Sequence, residues 1–203
     1  DSDCIPNQNW IEMGVNNFKE INNCAIVGGK IELIFENKDN LNVIELYEKI
    51  HAFKQEEYVS EFKFSATANL FTPVSIVSDV GNFDESFKSS GDKEWCHRAI
   101  NKGYNIIYSE NVIVKHPSRS NLKDYVKKIR RIVGGKYSLS KKNGVSSKKL
   151  FFRNLLDLLP PVVSIYRLLK KDEFKNIKNN NVKLKILSMF LLIRYLTVYE
   201  NFR

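Results

Sequence analysis

The sequence predicts a mixed α/β body followed by an all-helical segment, and three patterns carry that expectation. Up to about residue 117, short runs rich in Val, Ile and Phe alternate with stretches of helical period, the alternation that gives a sheet with helices packed on it. From Leu122 onward the strand-like runs stop and apolar residues recur at helical spacing to the end. Between them, "KKNGVSS" at 141–147 supplies turn residues and charge. It sets a boundary between a body over 1–140 and a basic, amphipathic helical tail over 141–203.

Taken in order, residues 6–20 read as a short helix after Pro6, and "CAIVGG" (24–29) and "IELIF" (31–35) as strands broken at Gly28-Gly29. Val43, Leu46, Tyr47, Ile50 and Phe53 share one helical face over 42–53. "FSATANLF" (64–71) alternates and reads as a strand closed by Pro73, and "VGNFDESF" (80–87) as a loop turning at Gly81-Asn82. A helix over 92–103 starts with Asp92 and ends at Gly103. Two short strands follow, 104–109 and 112–116, joined at Glu110-Asn111. Helices then fall at 122–142, 148–159, 161–171 and 182–202, with Pro160-Pro161 separating the second from the third. Alternation of this kind favours a mostly parallel sheet.

Charge is unevenly placed. The net charge is +9, but residues 1–119 hold 12 basic and 18 acidic side chains, whereas 120–203 hold 20 basic and 5 acidic. That is not the profile of a uniformly basic nucleic-acid binder, and no nucleic-acid motif is present. It suits a body that handles metal or polar substrate and a tail that meets an anionic surface. Three widely spaced cysteines, Cys4, Cys24 and Cys96, give neither a disulfide framework nor a C-x-x-C zinc pair, and a reducing compartment is the expectation. The most apolar run, Ile186–Tyr199, is interrupted by Arg194 and falls short of the roughly 20 residues a bilayer span needs.

Three places can carry chemistry. Asp1 and Asp3 in "DSDCIPNQNW" can converge on one hard cation of the Mg²⁺ or Mn²⁺ type, which takes oxygen ligands and leaves positions for phosphate. Alone, the tripeptide reads as readily as a helix cap from Ser2 or Asp3. Asp92, at a helix start after a glycine- and serine-rich loop, sits where the dipole keeps a carboxylate ionised and can act as a general base, or can simply cap. His116 ends an apolar strand before Pro117, as a metal ligand or as a packed histidine. His51 and His97 read as surface or packing residues.

In order, D-x-D, the glycine-bearing strands, "TANLF", "VGNFDESFKSSGDKEWCHRA" and "GYNIIYSENVIVKHPSR" resemble the family 2 glycosyltransferases of GT-A fold, over Asp1 to about Gly135. The resemblance implies a partial GT-A sheet with flanking helices and a helical tail. It assigns Asp1, Asp3 and His116 to a divalent cation, Mn²⁺ or Mg²⁺, that bridges a sugar nucleotide's diphosphate. It makes Asp92 the base that deprotonates an acceptor hydroxyl, with inversion at the anomeric carbon. Asn69, Gly91, Glu94 and Arg98 fall at substrate-side positions, Asn69 lining the sugar or acceptor pocket, Glu94 and Arg98 buttressing the loop from the same helix, and Gly91 standing where the family usually has glutamate. At the Q-x-x-R-W position of processive members this chain has "KKIRRIVGG", which implies single-sugar transfer.

Family members place β-α units before the D-x-D that hold the nucleotide. The sequence is therefore expected to be the C-terminal part of such an enzyme, with the nucleotide-binding part upstream. The expected partners are a nucleotide-diphosphate sugar, a saccharide or lipid-linked saccharide acceptor, and no nucleic acid. The expected place is the cytoplasmic face of a membrane, in surface polysaccharide or glycolipid synthesis. The basic helices suit either a bilayer interface or packing on the protein itself. The contrasting reading is a truncated, non-catalytic module that binds membrane or a partner.

Overall fold

The computed structural model describes residues 2–20 and 24–203. Its elements run β1 (Ile5–Pro6), α1 (Trp10–Glu20), β2 (Cys24–Ile34), α2 (Val43–His51), α3 (Gln55–Ser60), β3 (Leu70–Phe71), α4 (Val74–Val80), α5 (Gly91–Asn101) and β4 (Asn105–Pro117). They continue α6 (Leu122–Lys142), α7 (Ser147–Leu156), α8 (Val162–Lys170), α9 (Asp172–Lys175) and α10 (Asn180–Phe202). The fold is mixed α/β, a four-stranded sheet with flanking helices and a helical C-terminal segment, as expected of part of a GT-A domain. Two compact units share the chain: Asp1–Ile34 with Phe53–Pro117, and Phe35–Ala52 with Ser118–Arg203.

The first unit holds the sheet, in the order β1-β4-β2-β3. Only β2 and β4 run parallel; β1–β4 and β2–β3 are antiparallel. The sheet is thus less parallel than the alternation predicts, because both of its edges are two-residue strands that pair antiparallel to their neighbours. The break expected at Gly28-Gly29 and the turn expected at Glu110-Asn111 are one feature. Each strand is continuous, but the ladder jumps from Gly29↔Ser109 to Lys30↔Ile113, so Glu110, Asn111 and Val112 bulge from β4. Asn69 closes that bulge. Its buried amide nitrogen donates to the carbonyls of Lys30 and Val112, both at 2.8 Å, and its oxygen accepts from Trp10 Nε1 at 2.9 Å. Gly29 is the residue that lets this happen: a Cβ there would collide with both the Asn69 amide and the Val112 carbonyl.

Two apolar clusters support the sheet. Trp95, Cys96 and Ala99 of α5 pack on Ala25 and Ile26 of β2 and on Val80. Ile31, Ala68 and Val114 form the other, with Cys4, Trp10 and Phe53 against it. Residues 64–71 are mostly not a strand: Thr67–Asn69 form a 3₁₀ turn and only Leu70–Phe71 join the sheet. Their alternation has another cause. Gln55 donates to Ser65 Oγ at 2.9 Å and accepts from the Ala66 N–H at 2.9 Å, so Ser65 turns inward to a buried amide.

The second unit is helical. Asn42 and Glu45 make a capping box that starts α2, and Asn121 and Ser146 cap α6 and α7. Tyr125, Ile129 and Val133 recur at i, i+4 and i+8 on α6 and pack with Tyr47 of α2 and with Met189 and Ile193 of α10. A second cluster joins Ile50, Leu168, Phe174 and Ile186. Amid this lies a buried carboxylate, Glu48, which accepts from Lys128 Nζ and, at 3.3 Å, from Arg119. Burial pushes the Lys128 ammonium below its usual range, and the Glu48 charge opposes that shift. No helix among the described residues is long and apolar enough to cross a membrane.

Candidate functional site

The D-x-D end reaches the sheet through β1. Antiparallel pairing sets Ile5 opposite Lys115 and Pro6 opposite Val114. One residue further along that register, Cys4 comes opposite His116, and Asp3 follows it. Asp3 therefore meets His116 although 113 positions separate them: its Oδ2 lies 3.4 Å from His116 Nε2. Cys4 is the third member, and one ligand atom from each of Asp3, Cys4 and His116 lies within 4.8 Å of the others. Asp1 lies outside the described residues.

His116 is fixed as a ligand would be. Its ring is 5% exposed and packs on the Phe53 ring at 4.6 Å between centroids. Nδ1 lies 2.7 Å from the Pro117 carbonyl, which can only accept, so Nδ1 carries the proton. Nε2 then presents its lone pair toward the Asp3 carboxylate. Two electron-rich atoms held face to face call for a positive charge between them, either a second proton on the imidazole or a cation. The oxygen–nitrogen pair fits Mn²⁺ or Mg²⁺, and the backbone-anchored Nδ1 is the orienting contact that metal-bound histidines usually have. Burial raises the Cys4 thiol above its ordinary range, so that sulfur is held mainly as a neutral thiol beside the pair. Asp3 does not cap α1, which begins at Trp10.

The second group lies on α5. Ser90 precedes the helix with φ +66° and makes no side-chain cap; Gly91 and Asp92 are its first two residues. Asp92 Oδ1 accepts from the Lys93 N–H at 2.8 Å, in the first turn, where the dipole favours an anion. An added Cβ at Gly91 would meet only Phe87 Cβ, at 3.4 Å, so packing does not demand glycine there. Glu94 is buried and accepts from Arg98 Nε at 2.9 Å. Arg98 also donates to the carbonyls of Val80 at 2.6 Å and Asn82 at 2.7 Å, and Trp95 Nε1 donates to Gly81 at 2.7 Å. Three successive loop carbonyls are thus fastened to one face of α5. Glu94 and Arg98 act on that loop, and Asn69 acts on the bulge described above.

The structure brings Asp3, Cys4 and His116 together, and separately Glu94 and Arg98. Arg130, in the stretch compared with Q-x-x-R-W, donates to Glu200 Oε1 at 2.7 Å. His51 and His97 contact the carbonyls of Tyr47 and Phe62, in keeping with packing roles. Sequence reasoning missed Cys4 as a neighbour of the pair, and it also missed an open groove of about 530 Å³. Asn7, Gln8, Asn9 and Asn111 give that groove polar amides, and Trp10, Met13 and Ile113 give it an apolar floor.

A parallel β2–β4 core carrying a histidine at its end, the Asp3 carboxylate delivered beside it, and a loop–helix segment with an aspartate in the first turn together fit a glycosyltransferase-type domain. Comparison with known proteins agrees. The model of the glycosyl transferase family group 2 matches residues 1–198, and the chain belongs to the family 2 glycosyltransferases. It is 30% identical over 151 residues to glycosyltransferase AglE of Haloferax volcanii, covering 74% of this chain and 48% of that protein. It is 29% identical over 133 residues to the pre-mycofactocin glycosyltransferase of Mycobacterium tuberculosis, covering 62% of this chain and 27% of that protein. The chain therefore spans about half the length of AglE, and less of the other.

Proposed function

We propose that this chain is the acceptor- and metal-binding part of an inverting glycosyltransferase that moves a single sugar from a nucleotide-diphosphate donor to a hydroxyl. The observation that carries the reading is the buried His116, anchored through Nδ1 with Nε2 turned to Asp3. Asp3 and His116 would hold Mn²⁺ or Mg²⁺, with Asp1 two positions before Asp3 in sequence. When bound, such a cation offsets the charge that develops on the departing nucleotide diphosphate. Asp92 takes the acceptor proton as the hydroxyl oxygen attacks the anomeric carbon; the bond to the diphosphate breaks on the opposite side, and the proton stays on the carboxylate. Arg98 and Trp95 hold the loop over 80–82 so that the α5 start keeps its place. The amide-lined groove at Trp10 offers the donors, acceptors and aromatic edge that saccharides take. The strongly basic helices favour a lipid-linked acceptor at the inner face of a membrane, in surface polysaccharide or glycolipid synthesis.

The cation site can be tested on this chain alone. Mn²⁺ titration followed by calorimetry should show one site, weakened at least about tenfold in Asp3→Asn and in His116→Gln, with circular dichroism unchanged. In the transfer reaction Asp92→Asn should abolish turnover and leave Mn²⁺ and nucleotide binding nearly intact. Equal loss of binding and turnover in that variant removes Asp92 from the role of base. Absence of any Mn²⁺ site would leave the Asp3–His116 contact as an ordinary ion pair and give the non-catalytic module the stronger position.

A further inference from the structure

Helices α7 and α8 hide little of their apolar content. In α7 only Leu150 and Asn154 are buried, and in α8 only Leu168. Phe152, Leu156, Val162 and Val163 are 63%, 66%, 68% and 64% exposed, and Leu155, Leu158, Leu159, Tyr166 and Leu169 are exposed beside them. At about 100° per residue, the exposed stripe of each helix points roughly 120–150° away from its buried residues. These helices thus have a narrow inward face and a wider, second apolar face that is left largely exposed. The helices of the tail differ in how much apolar surface they commit to the protein. Helix α10 commits Ile186, Met189, Ile193 and Val198 to the protein, whereas α7 and α8 keep most of their large side chains outside.

Charge says what covers that face. Residues 147–171 carry Lys148, Lys149, Arg153, Arg167, Lys170 and Lys171 against one acid, Asp157. Asp157 is drawn away into an ion pair with Arg194 at 2.9 Å. The rim around the apolar stripe is therefore basic. A second copy would set like charges against each other, and nucleic acid has no use for Leu and Val at the centre of its contact. Anionic lipid matches both parts. Acyl chains take Phe, Leu and Val, headgroups take Lys and Arg, and Tyr166 suits the boundary.

We propose that α7, the Leu158–Pro161 turn and α8 form an interfacial docking surface for an anionic bilayer, lying in the headgroup layer without spanning it. This rests on the membrane contact proposed above and assigns it to one segment. The test is co-sedimentation of the chain with vesicles of phosphatidylcholine and phosphatidylglycerol, against phosphatidylcholine alone. The chain should bind the anionic vesicles, and added salt should weaken binding without ending it, because apolar burial is not screened. Joint substitution Phe152→Glu, Leu156→Glu and Val163→Glu should lower partitioning at least about tenfold. Hydrogen exchange on the unmodified chain gives a second readout: vesicles should slow exchange within 147–171.

Undiminished binding by the triple variant, or exchange unchanged in this segment while the chain is bound, overturns the assignment and leaves membrane contact to another surface. No binding by the unmodified chain overturns both readings. A dimer in sedimentation equilibrium that the three substitutions dissolve overturns the proposal in favour of a second copy.

Discussion

Replacing Asn69 by alanine isolates the clamp across the β4 bulge. The side chain is 1% exposed, and the substitution strands three partners at once: the Trp10 indole N–H and the carbonyls of Lys30 and Val112. Each bond is worth ~1 kcal/mol net, and the vacated amide volume adds ~0.5–1 kcal/mol. The expected loss is therefore ~3–4 kcal/mol, a large part of the 5–15 kcal/mol that typically holds a domain together. In urea, a slope of ~2 kcal/mol per molar makes this a midpoint lower by ~1.5–2 M. Asn69→Asp separates hydrogen bonding from volume. It keeps an acceptor for Trp10 but faces a carboxylate oxygen toward two carbonyls, so it should be at least as damaging as alanine. A midpoint shift equivalent to less than ~1 kcal/mol in both variants would refute the clamp. Lost turnover with an unmoved midpoint would assign Asn69 to a substrate contact instead.

Two further outcomes follow from buried groups of the first unit. Burial pushes the Cys96 thiol up to about 12 from its ordinary 9.0. A raised folded value means that the unfolded chain loses its proton first, so stability is full below pH 9 and falls by up to ~1.4 kcal/mol per pH unit from there toward 12. Cys96→Ala should flatten that alkaline slope in urea titrations, and an unchanged slope would place its source elsewhere. Arg98→Ala removes the contact to the buried Glu94 and two of the three loop carbonyl bonds. It should cost ~2–4 kcal/mol and speed hydrogen exchange over 80–82, with Arg98→Lys recovering little because one ammonium cannot reach all three partners.

What the sequence made legible was mostly periodic. The run over 122–142 is one helix with those bounds, and Gly103 does follow α5 at φ +93°. Gln55–Ser60 and Val74–Val80 escaped because six or seven residues make fewer than two turns, too few for a period to show. "FSATANLF" misled for a different reason: its inward polar positions answer to Gln55, ten residues upstream of Ser65, and no local pattern registers that partner. The same limit applies at the site. Asp3 and His116 could each be singled out by chemistry, but their meeting depends on a two-residue strand whose register no spacing rule gives. Cys4 fits neither a disulfide nor a C-x-x-C pattern, and its place next to Asp3 is the one signal in the sequence for its part in the site.

The buried Glu48 bears on which of several near-equal packings the second unit adopts. Tyr125, Ile129 and Val133 repeat every four residues, so sliding α6 by one turn along its neighbours would still bury an apolar row. It would not return Lys128 to Glu48, and the buried carboxylate would lose its ammonium partner. The ion trio therefore works as a key that fits one tooth of an otherwise repetitive rack. Its contribution lies less in holding the helices together than in allowing them a single phase.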